Sequence, residues 1–296
     1  MRFEAPSARL LPDGRRLLLQ QGPIDLVIAA EGEAEAVAAA REAAMRRFDG
    51  LLAELCDELP LLRSPVTPAS AVPAGPVARR MHAAVAPFAV RGFITPMAAV
   101  AGAVAEEILG IMLAAAPLRR AYVNNGGDIA LHLAGEAQFR IGLVRRPDRP
   151  DIFATATIRA ADGVAGIATS GYPGRSFSLG IAEAVTVLAP TAAMADAAAT
   201  VIANACDLPG HEAIARVPAC EVQSDSDLGA RLVTRAVGPL AAAEIDRALA
   251  AAQAVAEALR GEGLIRSAAI HLQGRSAVLD SPMIAEQDTE GRTALA

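Results

Sequence analysis

Between Met97 and Ala115 the small residues Ala98, Ala101, Gly102 and Ala105 recur at three- and four-residue spacing, which places them along one face of a helix. A face of that kind lets a second backbone come much closer than a face of large side chains would. The core must therefore form by close helix approach. Composition agrees: the chain has no Trp and only 3% aromatic residues against 53% hydrophobic ones, so its interior is built from Ala, Val, Leu and Ile rather than stacked rings. With 296 residues it can bury one large core, or two intimately packed ones.

The pattern along the chain opens as an antiparallel meander: a strand over Arg2–Leu11, a Pro12-Asp13-Gly14 turn, a strand over Arg15–Gln20 and the buried run Ile24–Ile28. Helical spacing follows from Gly32 to Leu59, where Pro60 stops it. Leu61–Pro76 carries four prolines and reads as an extended connection or flap. A short helix around Val77–Ala86 comes next, and Thr95 is placed to cap the long Met97–Ala115 helix with Pro96 in its first turn. Strands are expected at Ala121–Asn124, Ile129–Leu133, Gln138–Val144, Phe153–Ile158, Gly166–Ala168 and Ala184–Leu188, and helices at Thr191–Cys206 and Leu240–Leu259. Ile265–Leu279 reads as a closing hairpin. Meanders mixed with long helices, without regular strand–helix alternation, predict a mixed α+β fold, with residues 1–280 as a single domain and 281–296 as a frayed polar tail.

Several function classes are disfavoured. The net charge of −6 and the scarcity of rings argue against a nucleic-acid surface. All 27 basic residues are Arg, which removes lysine Schiff-base chemistry and a phosphate-loop lysine. Cys56, Cys206 and Cys220 are widely spaced and form no C-x-x-C, so they read as buried reduced thiols. The first residues show no signal-peptide pattern, and the most apolar helix carries Glu106 and Glu107 in its middle, so the expectation is a cytoplasmic protein that does not engage a membrane. His82, His132, His211 and His271 have no ligand spacing and read as surface or satisfied core residues.

Four constellations could carry chemistry. Asp196 and Thr200 lie at i and i+4 on one helix face, a carboxylate and a hydroxyl suited to magnesium, which takes few protein oxygens; they also read as a helix charge and a hydroxyl bonded back to a carbonyl. Asn124-Asn125-Gly126-Gly127-Asp128 joins two strand-like runs, either as a plain hairpin or as a turn whose amides face a phosphate. Thr169, Ser170 and Gly171, with Gly174, Arg175 and Ser176 after them, offer hydroxyls and a guanidinium to an anion, or form an ordinary polar loop. Ser224–Gly229 starts like a calcium loop but lacks the later ligands, and reads as a turn.

Taken together, Asn125-Gly126-Gly127-Asp128-Ile129, Ala168-Thr169-Ser170-Gly171, Val185-Thr186-Val187 and Ala195-Asp196-Ala197-Ala198-Ala199-Thr200 occur in the order found in the ApbE-like flavin transferases. Thr95–Gly102 and Gly174–Gly180 resemble more closely an uncharacterised branch of that superfamily, and the resemblance runs from about Met1 to Asp280. It implies mixed sheets packed with long helices, a cleft for FAD or FMN, a magnesium ion and a homodimer. Asn125, Gly126, Gly127 and Asp128 would face the nucleotide, Thr169, Ser170, Gly171, Arg175 and Ser176 would line the cleft, and Asp196 with Thr200 would hold the metal. The chain departs from the transferases where they carry H-x-x-D-P-x-T-G: Arg175–Glu183 has no counterpart of that His or Asp, which puts ordinary FMN transfer in doubt. The branch also resembles proteins of tetrahydromethanopterin-dependent one-carbon metabolism, so a pterin joins flavin and nucleotide as ligand. The alternatives are a non-catalytic flavin or pterin carrier and a structural dimer module.

Overall fold

The computed structural model describes residues 4–144, 152–279 and 283–286. Three strands open the chain, β1 (Ser7–Leu10), β2 (Arg16–Gln21) and β3 (Ile24–Glu31). Helices α1 (Ala34–Phe48) and α2 (Leu51–Asp57) follow, broken at Gly50, whose φ of 83° ends the first helix where the sequence suggested one continuous helix. The proline-rich stretch contributes a short α3 (Leu59–Leu62) and then irregular chain up to α4 (Pro76–Val85). Next come α5 (Val100–Ala115), β4 (Arg120–Asn125), β5 (Asp128–Leu133), β6 (Gln138–Val144), β7 (Ile152–Arg159), β8 (Gly166–Ser170), β9 (Ala184–Ala189) and α6 (Ala192–Ala205). The chain continues through β10 (Ile214–Pro218), α7 (Ala219–Val222), β11 (Leu232–Val237), α8 (Ala242–Gly261), β12 (Ser267–Leu272), β13 (Arg275–Val278) and β14 (Ile284–Glu286).

The architecture is mixed α+β. Nine strands form an antiparallel sheet in the order β1-β2-β3-β4-β5-β8-β9-β12-β13. One face carries the helices over a core that includes Leu26, Ile28, Val123, Ala168, Val185, Val187 and Ile270. The other face packs Leu131, Ile167, Leu188 and Ala269 against Leu143, Ala154, Ala156 and Ile158 of the three-stranded sheet β14-β7-β6. All of β9 is buried because it is covered on both sides. The sequence reading missed β10 and β11, a separate antiparallel pair whose short alternation is interrupted by a register shift at Ala215/Arg216. Ile284–Glu286, expected to fray, instead pairs with β7, and Met283 O before it accepts the Thr157 N–H; residues 281, 282 and 287–296 of the expected tail lie outside the described residues.

Helices α5 and α6 occupy the centre of the helical layer, and glycine decides how closely they sit. A Cβ on Gly102 would lie 2.2 Å from the carbonyl oxygen of Ala192, and one on Gly166 would lie 2.1 Å from that of Thr191. The small-residue face therefore does what its spacing predicts. Pro96–Ala115 is long and apolar enough by composition to cross a membrane, yet half of it is buried inside this molecule. Glu107 within it is held by Arg47 and Arg80 at 2.7 and 2.8 Å.

Thr95 does not cap α5. Pro96–Ala99 forms a 3-10 turn, the Thr95 side chain makes no capping bond, and its Oγ1 donates to Asp227 Oδ2. Nor are all three cysteines buried: Cys206 is buried, Cys56 half-buried and Cys220 exposed. Of the histidines, His271, His211 and His132 have hydrogen-bonding partners, whereas buried His82 Nε2 has none among the described residues.

Candidate functional site

The turn between β4 and β5 is a two-residue hairpin closed by the Asn125–Asp128 pair, with φ of 65° at Gly126 and 116° at Gly127. Only glycine enters that region without strain, which is why the Asn-Gly-Gly-Asp order makes this turn. Asn124 Oδ1 accepts the Gly127 N–H at 2.9 Å, so that amide is already engaged within the turn. Buried Asn125 reaches across the sheet face, donating its Nδ2 to Ala101 O at 3.1 Å. The turn is thereby fastened to the first residues of α5.

Asp196 comes to the same place from α6. Its Oδ2 accepts the Gly102 N–H at 3.0 Å, and the Ala101 N–H also bonds to the carboxyl. A helix leaves its first amides without partners, so Asp196 caps α5 in place of the absent Thr95 cap. The relation is reciprocal: Glu106 Oε2 on α5 accepts the Ala193 N–H in the first turn of α6 at 3.2 Å. Each central helix supplies a carboxylate to the other's N-terminus.

Asp128 completes a pair of carboxyls. Its Oδ1 accepts the Thr169 N–H of β8 at 3.2 Å. Burial pushes Asp128 up to about 7 despite that bond. Burial, and then the nearby charge of Asp128, push Asp196 well above the usual carboxylate range, although the two α5 amides oppose the shift. Both side chains nevertheless keep some solvent contact. The charge of Asp128 reaches Asp196, whose own carboxyl sits at the positive end of α5.

The remaining predicted residues surround this pair to different degrees. Thr169 Oγ1 hydrogen-bonds buried Thr186 Oγ1 at 2.9 Å, and Ser170 continues β8 opposite Val185. Gly171 is needed for packing, since a Cβ there would lie 2.3 Å from Glu183 O. Arg175 lies over the glycine turn: a Cβ on Gly126 would come within 3.3 Å of its Nη1, which is also 3.9 Å from Asp25 Oδ2. Its side chain is 65% exposed. Ser176 is exposed beside it. Thr200, one turn beyond Asp196, lines a separate small cavity with Thr95, Asn204 and Asp227. The structure thus joins Asn125, Asp128, Thr169 and Asp196 through α5 and β8, and gives Thr200 other neighbours. Asp227, set aside as a turn residue, is one of those neighbours; its bond to Thr95 spans 132 positions and leaves no local sequence signal.

The model of a family described as AbpE bacteria matches residues 8–278 of this chain. A UPF0280 protein of Methanopyrus kandleri is 41% identical over 129 residues, covering 43% of this chain and 48% of that protein. A UPF0280 protein of Methanococcoides burtonii is 36% identical over 132 residues, covering 41% and 49%. The chain spans about half the length of the curated relatives it matches. Among solved structures, the apo form of the flavinyl transferase ApbE of Pseudomonas stutzeri is 10% identical and covers 94% of this chain and 96% of its own, with a TM-score of 0.36.

Proposed function

This chain belongs to the AbpE bacteria family, and from that premise we propose that it binds a phosphate-bearing flavin, pterin or nucleotide together with a magnesium ion at the N-terminus of α5. The observation that supports this reading is the Asp128–Asp196 pair, two carboxyls crowded at a helix N-terminus beside a glycine turn. A divalent cation offsets their repulsion better than a shared proton does. Two carboxyls are few for a metal, and the described residues hold no cluster of three or more His, Cys, Asp or Glu side chains; magnesium is the cation that commonly takes one or two carboxylates and fills its shell with water and ligand phosphate. Bound there, the ion would neutralise phosphate charge. Asp196 would offer carboxylate lone pairs not taken by the α5 amides, Asp128 the oxygen not committed to Thr169, and Arg175 would close over the phosphate from the solvent side.

FMN transfer to a partner protein is not part of the proposal, because the transferase His and Asp have no counterpart in Arg175–Glu183. The pterin alternative, with its tie to tetrahydromethanopterin-dependent metabolism, rests on the sequence resemblance alone. A second reading has its own observation: the reciprocal caps give Asp196 and Glu106 a purely structural task, and the glycines serve helix approach.

Equilibrium binding of FAD, FMN and oxidised and reduced pterins, with and without magnesium, separates the two. Asp196→Asn keeps an oxygen for the α5 amides while removing the charge, and Asp196→Ala removes both. The ligand reading expects magnesium-dependent binding in the wild type and its loss in both variants, with Asp225→Ala unaffected. Absence of saturable binding in the wild type, with thermal stability falling only in Asp196→Ala, leaves the packing role alone.

A further inference from the structure

At the opposite end of β3 and β4 from the glycine turn lies an open cavity of about 1030 Å³, bordered by the β1–β2 turn, the end of β3, α1 and the residues leading into β4. Its lining includes four arginines from three parts of the chain, Arg15 and Arg16, Arg41, and Arg119, against Asp13, Glu31 and Glu33. In a chain of net charge −6 this is a local reversal of sign. The four cations are not equally committed. Arg16 pairs with Asp13 and Arg119 with Glu31 through side chains that are about one-third to two-thirds exposed, and solvated pairs of this kind exchange partners at little cost.

Arg15 and Arg41 have no carboxylate partner among the described residues. Arg41 donates its Nη2 to Arg15 O at 2.5 Å, which holds the β1–β2 turn at the cavity's rim, and its Nε is buried with no partner. A buried donor left unpaired is costly, and a guanidinium is a side chain well suited to meet an oxyanion. Tyr122 adds a hydroxyl-bearing ring to the lining. The volume is of the size that accepts a small organic ligand.

The geometry points to a second ligand site, distinct from the carboxyl pair, that takes a small multiply charged anion of the phosphate class through Arg15 and Arg41, with Arg16 and Arg119 released from their carboxylates to join them. Guanidiniums arriving from several walls suit a diphosphate, whose oxygens are spread widely enough to meet more than one fork. Because the cavity and the α5 N-terminus are at opposite ends of β4, occupancy of one does not require the other.

Calorimetric titration with pyrophosphate at low ionic strength, in the absence of divalent cations, tests this site. The expected result is saturable binding that weakens as salt is added, falls at least about tenfold in Arg15→Glu and in Arg119→Glu, and is unchanged in Asp196→Asn. Both charge reversals are at exposed side chains, and circular dichroism establishes that each variant is folded. Three results overturn the proposal: no saturable binding to the wild type, binding indifferent to both reversals, or citrate bound as tightly as pyrophosphate.

Discussion

Asp128 is a carboxyl whose chemistry departs from what its type suggests. With its carboxyl raised to about 7, the native state holds a proton that the unfolded chain, with an ordinary carboxylate, releases near pH 4. Between those values the native state binds more protons, so this group's contribution to stability is greatest at low pH and is lost as pH rises toward 7. Asp128→Asn is expected to flatten that part of the pH–stability profile, as read from thermal melts of metal-free protein between pH 4 and 8; an unchanged slope would refute the assignment. Gly102 poses the complementary steric case. Gly102→Ala would set a methyl 2.2 Å from Ala192 O, and the backbone separation needed to relieve it is expected to cost about 1–3 kcal/mol in urea denaturation.

The element-scale unit is the α5–α6 pair. α5 has no side-chain cap of its own, α6 has the Thr191 hydroxyl accepting from Met194 N–H, and each takes a carboxylate from its partner. Loss of one cap is expected to cost about 1 kcal/mol. Because the two caps fix the same interface, Glu106→Ala and Asp196→Ala should combine non-additively, with an interaction energy of about 0.5 kcal/mol or more in a double-mutant cycle. Additive losses would mean that each cap acts on its own helix only. Glu106 also accepts from Arg80 Nε at 3.1 Å, so an Arg80→Ala background is needed to separate that pair from the cap.

For the molecule as a whole, one buried ion cluster ties the helical layer together. Arg47 on α1 and Arg80 on α4 both bond to Glu107 on α5, and burial of that carboxyl is outweighed by the two guanidiniums, which hold it below its ordinary range. Glu107→Ala leaves Arg47 with Glu54 and Arg80 with Glu106 as remaining partners, and is expected to destabilise the fold by about 1–3 kcal/mol in chemical denaturation. A loss smaller than about 1 kcal/mol would mean that solvent reaches the pair freely.

Strand and helix periods, the Asn-Gly-Gly-Asp turn and the small face of α5 were all legible in the sequence, because each depends on residues within a few positions of one another. The α+β class and the place of Asp196 on a helix followed from that local order. What only the tertiary structure decided was partnership. Asp196 meets Gly102 across 94 positions, Glu106 meets Ala193 across 87, and Asp128 meets Thr169 across 41. No local spacing encodes such contacts, since they arise when the sheet order sets α5 beside α6 and β5 beside β8. The sequence by itself therefore determined which residues could bear chemistry and on what elements they stand. Packing determined which of them share a site, because a charge acquires its pKa and its partners from groups that chain distance does not reveal.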